Sequence, residues 1–138
     1  MKHIPETENA LVLRTDFSDE PTWDALRVAI RESDGQFRAS VDFVSDRDFD
    51  GTSTQQVLTL LRKDTNHTFM FIVDQETVAR DDRPVLVIDL FVEPGRTFRV
   101  IPSAMWSGEN SLSLANMDFA EFAESADEDG IFRGFPEA

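Results

Sequence analysis

Five consecutive apolar residues, Phe69-Met70-Phe71-Ile72-Val73, constrain this chain more than any other feature. The run is too short for a helix and has the length of a strand. Successive side chains on a strand point to opposite faces, so neither face of this one can be left in water. Such a strand belongs at the centre of a sheet covered on both sides, and the rest of the chain must supply the cover.

The flanking sequence reads as that supply. Leu11-Val12-Leu13-Arg14-Thr15 predicts a strand. Ser18-Asp19-Glu20-Pro21 then starts a helix, with a capping residue, acid for the macrodipole and Pro in the first turn. Trp23, Leu26 and Ile30 make one apolar stripe along it, and Gly35 ends it. Val41-Asp42-Phe43-Val44 alternates like a half-buried strand. Ser53-Thr54-Gln55-Gln56 is a capping box before Val57, Leu58, Leu60 and Leu61. Residues 84–92 predict a strand, Pro94-Gly95 a type II turn, and residues 97–101 its hairpin partner. Asn116 caps a last helix with Phe119, Phe122, Ala123 and Ala126 on one face. The expected fold is α/β (or α+β), one domain over residues 1–138 with residues 1–9 a loose lead-in. The order β-α-β-α-β-β-β-α implies two right-handed crossovers followed by an antiparallel meander. Residues 69–73 should be flanked by 11–15 and by 85–92.

A chain of 138 residues can bury roughly 68–70% of its unfolded surface without staples. It has no Cys, which removes disulfides, thiolate nucleophiles and Cys-bound zinc together. No apolar run reaches the roughly 18 residues that span a bilayer, and Met1-Lys2-His3-Ile4-Pro5-Glu6 lacks a signal peptide's apolar stretch, so a cytoplasmic address is expected. The net charge is −14, from 27 acidic and 13 basic residues. That balance disfavours nucleic acid and anionic lipid, which need Lys and Arg to replace counterions, and it attracts basic partners and divalent cations.

Three segments stand out together: Thr15-Asp16-Phe17-Ser18-Asp19, the stretch from Pro94-Gly95-Arg96-Thr97-Phe98-Arg99-Val100 to Asn110-Ser111-Leu112-Ser113-Leu114-Ala115-Asn116-Met117-Asp118-Phe119, and Asp129-Gly130-Ile131-Phe132-Arg133-Gly134-Phe135. In them the chain resembles a family of small uncharacterised bacterial proteins, a domain of unknown function. The resemblance implies no activity, cofactor or site residue.

The residues themselves offer four constellations. Asp16, Asp46 and Asp74 end predicted strands, where open α/β sheets bind ligands, and could together hold a divalent cation. Asp46, Asp48 and Asp50 before Gly51 match the opening of a calcium loop, but Val57 stands where the bidentate Glu is needed. The acidic run Glu121, Glu124, Asp127 lies beside Phe132 and Arg133, the residue types of an interface anchor, or of a tail strand docked on the core. Arg99, Trp106 and Asn110 could line a small pocket. His3 and His67 are the only histidines, and no nucleophile motif accompanies them. No catalytic residue and no cofactor is expected. The reading is a non-enzymatic interaction module, of inhibitor or immunity type, for a basic protein partner, with homo-oligomerisation left open. A divalent-metal protein using the strand-end aspartates is the alternative.

Overall fold

The computed structural model describes residues 3–32, 41–105 and 119–133. Six strands form one mixed sheet: β1 (Ala10–Arg14), β2 (Val41–Val44), β3 (Phe69–Val73), β4 (Val85–Asp89), β5 (Thr97–Val100) and β6 (Ile131–Phe132). Their spatial order is β2-β1-β3-β4-β5-β6. The apolar run therefore sits inside the sheet as expected, between β1 and β4. β1 pairs in parallel with both β2 and β3, β3-β4-β5 is an antiparallel meander, and β6 adds in parallel to β5. Four helices are described: α1 (Glu20–Glu32), α2 (Thr54–Leu60), α3 (Gln75–Ala79) and α4 (Phe119–Glu124).

Strand alternation divides the core in two. Val12, Phe69, Phe71, Val73, Val87 and Phe98 face one layer, where Trp23, Leu26 and Ile30 of α1 and Phe119 and Phe122 of α4 cover them. Leu11, Leu13, Met70, Ile72 and Ile88 face the other, covered by Val57 and Leu60 of α2 with Phe49 and Ile4. The step from β1 to β2 carries its helix on the first face. The step from β2 back across β1 to β3 reverses direction and carries α2 on the second face. Reversing both leaves the two crossovers with the same hand, as the chirality of parallel connections requires.

Local chemistry sets the ends of these elements. Ser53 and Gln56 form the reciprocal capping box of α2. Asp19 caps α1 by accepting from Thr22 N at 3.0 Å. Arg96 N donates to Glu93 O at 2.9 Å across Pro94-Gly95, with Gly95 at φ +98°, which is the type II geometry.

Four expectations are corrected. Residues 3–9 are fastened rather than loose: Ile4 is fully buried, its N–H donates to Leu60 O at 2.9 Å, and Glu6 accepts from Thr65 and Asn66. The strand read over 84–92 stops at Asp89, whose carboxylate diverts the chain. A helix, α3, intervenes between β3 and β4; at five residues it has no periodicity to reveal it, although Asp74 and Thr77 make its capping box. Finally, the expected order ended at the last helix, whereas a sixth strand follows α4 and pairs with β5, the docked-strand reading of the tail.

Asp74 also anchors the meander. Arg99 of β5 grips it with two parallel bonds, NH1 to Oδ1 at 2.9 Å and NH2 to Oδ2 at 2.8 Å, and places Nε 3.2 Å from Glu76. Burial pushes the Asp74 carboxyl up, but the Arg99 hydrogen bonds and charge, with the Thr77 donors, outweigh it and hold it below its ordinary value of 3.8. Arg99 is held above its ordinary value because the same pairing outweighs its own burial.

Two outcomes are expected. Gly95→Ala should destabilise the fold by about 1–2 kcal/mol in urea titrations, since an L-residue is strained at that φ. For Asp74 the folded pKa is depressed, so its stabilisation is complete above the unfolded value and lost as pH falls through the folded one. The stability gap between wild type and Asp74→Asn should be full at pH 7 and shrink below about pH 4. A gap independent of pH down to pH 2 would exclude this assignment.

Candidate functional site

At the end of β4 the chain spends a carboxylate on shaping a loop. Asp89 is 3% exposed. Its Oδ1 accepts from Phe91 N at 2.9 Å and Val92 N at 3.3 Å, and its Oδ2 accepts from Glu93 N at 2.8 Å. Burying a carboxylate costs several kcal/mol. Three charge-assisted bonds of roughly 1.5–3 kcal/mol each can offset that. The backbone adds Asp89 N to Arg96 O at 2.8 Å, Gly95 N to Asp89 O at 2.9 Å and Leu90 N to Thr68 O at 2.9 Å.

The loop so fixed presents apolar side chains outward. Phe91 is 73% and Val92 70% exposed, well above Val28 on α1, the other large apolar residue exposed among the described ones. Below Val92 lies a hollow of about 140 Å³ lined by Asp89, Glu93, Arg96, Phe119 and Ala120. Glu93 pairs at the surface with Arg96 at 3.3 Å. The loop therefore reaches the start of α4, whose Glu121 and Glu124 are exposed. The sequence reading missed this site because Leu90-Phe91-Val92 extends the apolar pattern of β4. The signal that could have found it is Asp89 itself, an acid closing an apolar strand a few residues before Pro-Gly, placed to accept from the N–H groups beyond it.

The residues singled out from sequence fall elsewhere. Asp127 and Arg133 bind each other at 2.8 Å, and Arg133 reaches Asp82 at 2.9 Å. Asp127 also accepts from Asp129 N and Ile131 N, folding the turn that carries the chain into β6. The Arg133 hydrogen bond, with those backbone donors, holds the Asp127 carboxyl below its usual range, and Asp127 and Asp82 hold Arg133 above its own. Phe132 is fully buried with its ring 5.1 Å from Phe122, so it is a core residue and not an exposed anchor. Of the acidic run only Glu121 and Glu124 lie on α4, which ends at Glu124. Arg99 is committed to Asp74 and Glu76 and does not open a pocket; Trp106 and Asn110 lie outside the described residues.

The aspartates of the metal readings are separated by their duties. Asp16 accepts from Ser18 N at 2.9 Å, Asp46 from Asp48 N at 3.0 Å as cap of the turn Arg47–Phe49, and Asp50 closes that turn. Asp74 holds Arg99. Among the described residues no group of three or more His, Asp or Glu is arranged to hold a metal ion. His67 Nε2 meets Thr7 N at 3.3 Å, joining the N-terminal strap to the approach of β3. Among the described residues no helix is long and apolar enough to cross a membrane.

A comparison with curated proteins finds no match. A family model described as "Domain of unknown function (DUF6924)" matches residues 9–135. That span takes in all six strands, the loop held by Asp89 and the docked tail, and the chain belongs to the DUF6924 family.

Proposed function

We propose that the protein is a non-enzymatic interaction module that docks a basic protein partner through the loop shaped by Asp89. The observation that carries this reading is the pairing of exposure with rigidity: Phe91 and Val92 stand in water on a backbone fixed by a buried carboxylate. An apolar side chain held ready in its bound position loses little freedom on association, which is how anchor residues yield affinity.

Charge supports the partner's character. A net charge of −14 raises the encounter rate of a basic protein, and Glu93, Glu121 and Glu124 lie on the elements that frame the loop. Phe91 and Val92 take the anchor role that Phe132, buried in the core, does not fill.

The test is capture from lysate of the source cells by wild type and by the Phe91→Ser/Val92→Ser double variant in parallel. The double variant should keep its stability to within about 0.5 kcal/mol, because both side chains are already exposed. A basic protein held by wild type should lose roughly thirtyfold or more in affinity with the variant, the scale of an anchor worth 2 kcal/mol or more. Its association rate should fall with added salt, and fall again with Glu121→Lys/Glu124→Lys. Identical capture by wild type and the double variant, or capture of acidic proteins only, would contradict the proposal.

A further inference from the structure

At the opposite end of the sheet, Arg14 closes β1 and is 1% exposed. A buried guanidinium needs a full set of acceptors, and this one does not have it. Nε donates to Asp16 O at 3.0 Å, and NH1 donates to Glu20 Oε1 at 2.7 Å and Ser45 Oγ at 3.3 Å. NH2 is buried and has no hydrogen-bond partner among the described residues. The guanidinium carbon lies 4.3 Å from the Phe17 ring centroid and 5.0 Å from that of Trp23. Ring faces attract the charge but do not replace an in-plane acceptor.

The carboxylate that meets this buried charge comes from the solvent side. Glu20, the first residue of α1, has a side chain 59% exposed. The topology makes the place significant in its own right. The chain leaves β1 toward the face covered by α1, and leaves the neighbouring β2 toward the face covered by α2. Open α/β sheets bind ligands outside the carboxyl ends of their parallel strands, and Arg14 ends the strand that β2 and β3 flank in parallel.

We infer that the guanidinium at the end of β1 binds a small monocarboxylate, whose two oxygens take NH1 and NH2 of Arg14 in place of the single oxygen of Glu20. The guanidinium fork matches a planar carboxylate in a bidentate pair. Phosphate matches less well, because its second charge would meet Glu20 beside the guanidinium and the excess of acid in the chain. Glu20 acts as a displaceable internal counter-ion. The site is independent of the loop at Asp89, which lies at the other end of the sheet.

The experiment titrates the full chain with sodium acetate, and separately with inorganic phosphate, at constant ionic strength set by sodium chloride. It follows amide and Arg Nε–H resonances by NMR together with thermal unfolding. Glu20→Ala vacates the counter-ion position without touching the core. It should bind acetate at least tenfold more tightly than wild type and regain its lost thermal stability saturably with acetate. Arg14→Lys should abolish saturable binding in either background; if that variant fails to fold, the Glu20→Ala rescue decides alone. An acetyl-tripeptide with a free C-terminus should compete with acetate while its C-terminal amide should not, and competition by the amide overturns the site. Absence of saturable acetate binding in both wild type and Glu20→Ala overturns it, as does phosphate binding equal to or tighter than acetate.

Discussion

Everything in this fold answers to the double burial of β3. Phe69, Phe71 and Val73 face one layer and Met70 and Ile72 the other, so both faces need cover, and both edges of the strand carry ladder hydrogen bonds. At about 25 cal/mol per Å² of apolar surface removed from water, the five side chains of β3 are worth more than any ion pair on the surface. They cannot be buried unless helices come to both faces. The chain meets that demand with two crossovers of the same hand, and their reversal of direction puts α1 and α2 on opposite sides.

The second half of the chain closes the sheet differently. The antiparallel meander leaves an edge at β5, and the short parallel strand β6 covers it, held by a turn in which Asp127 accepts from Ile131 N and pairs with Arg133. The acidic run 121–129 is therefore two things. Glu121 and Glu124 project from α4, while Asp127 is bound into the turn and carries little free charge toward a partner. The net charge of −14 is therefore a distributed excess of acid rather than one acidic finger.

Much of this was legible in the residues. The apolar run named the central strand, the stripes Trp23/Leu26/Ile30 and Val57/Leu58/Leu61 named the covering helices, Ser53 and Gln56 named a cap, and Pro94-Gly95 named a turn. Each is a local pattern with a local cause. What stayed illegible depended on long-range partners. Ile4 is buried because Leu60 offers it a carbonyl 56 residues away in sequence, and no composition of residues 1–9 announces that. Phe132 reads equally as an anchor or a docked strand until β5 is seen beside it. Arg14 sits in an apolar strand where a charge breaks the pattern, and only the tertiary structure shows that its neutralising Glu20 is a surface group. The site at Asp89 was hidden for the opposite reason, because Leu90, Phe91 and Val92 continue a strand pattern so smoothly that the acid before them passed as an interruption.

The central functional claim is that Asp89 holds Phe91 and Val92 ready in water, and amide hydrogen exchange tests it most directly. Surface loops ordinarily exchange freely, whereas amides bonded to a buried carboxylate open only when the loop does. The account predicts that the Phe91, Val92 and Glu93 amides are protected in wild type, as the β4–β5 ladder is, and that Asp89→Ala removes protection from these three while the β1–β3 ladder keeps its own. Exchange of all three at the unprotected rate in wild type would contradict it, because an unfixed loop has no prepared anchor to offer.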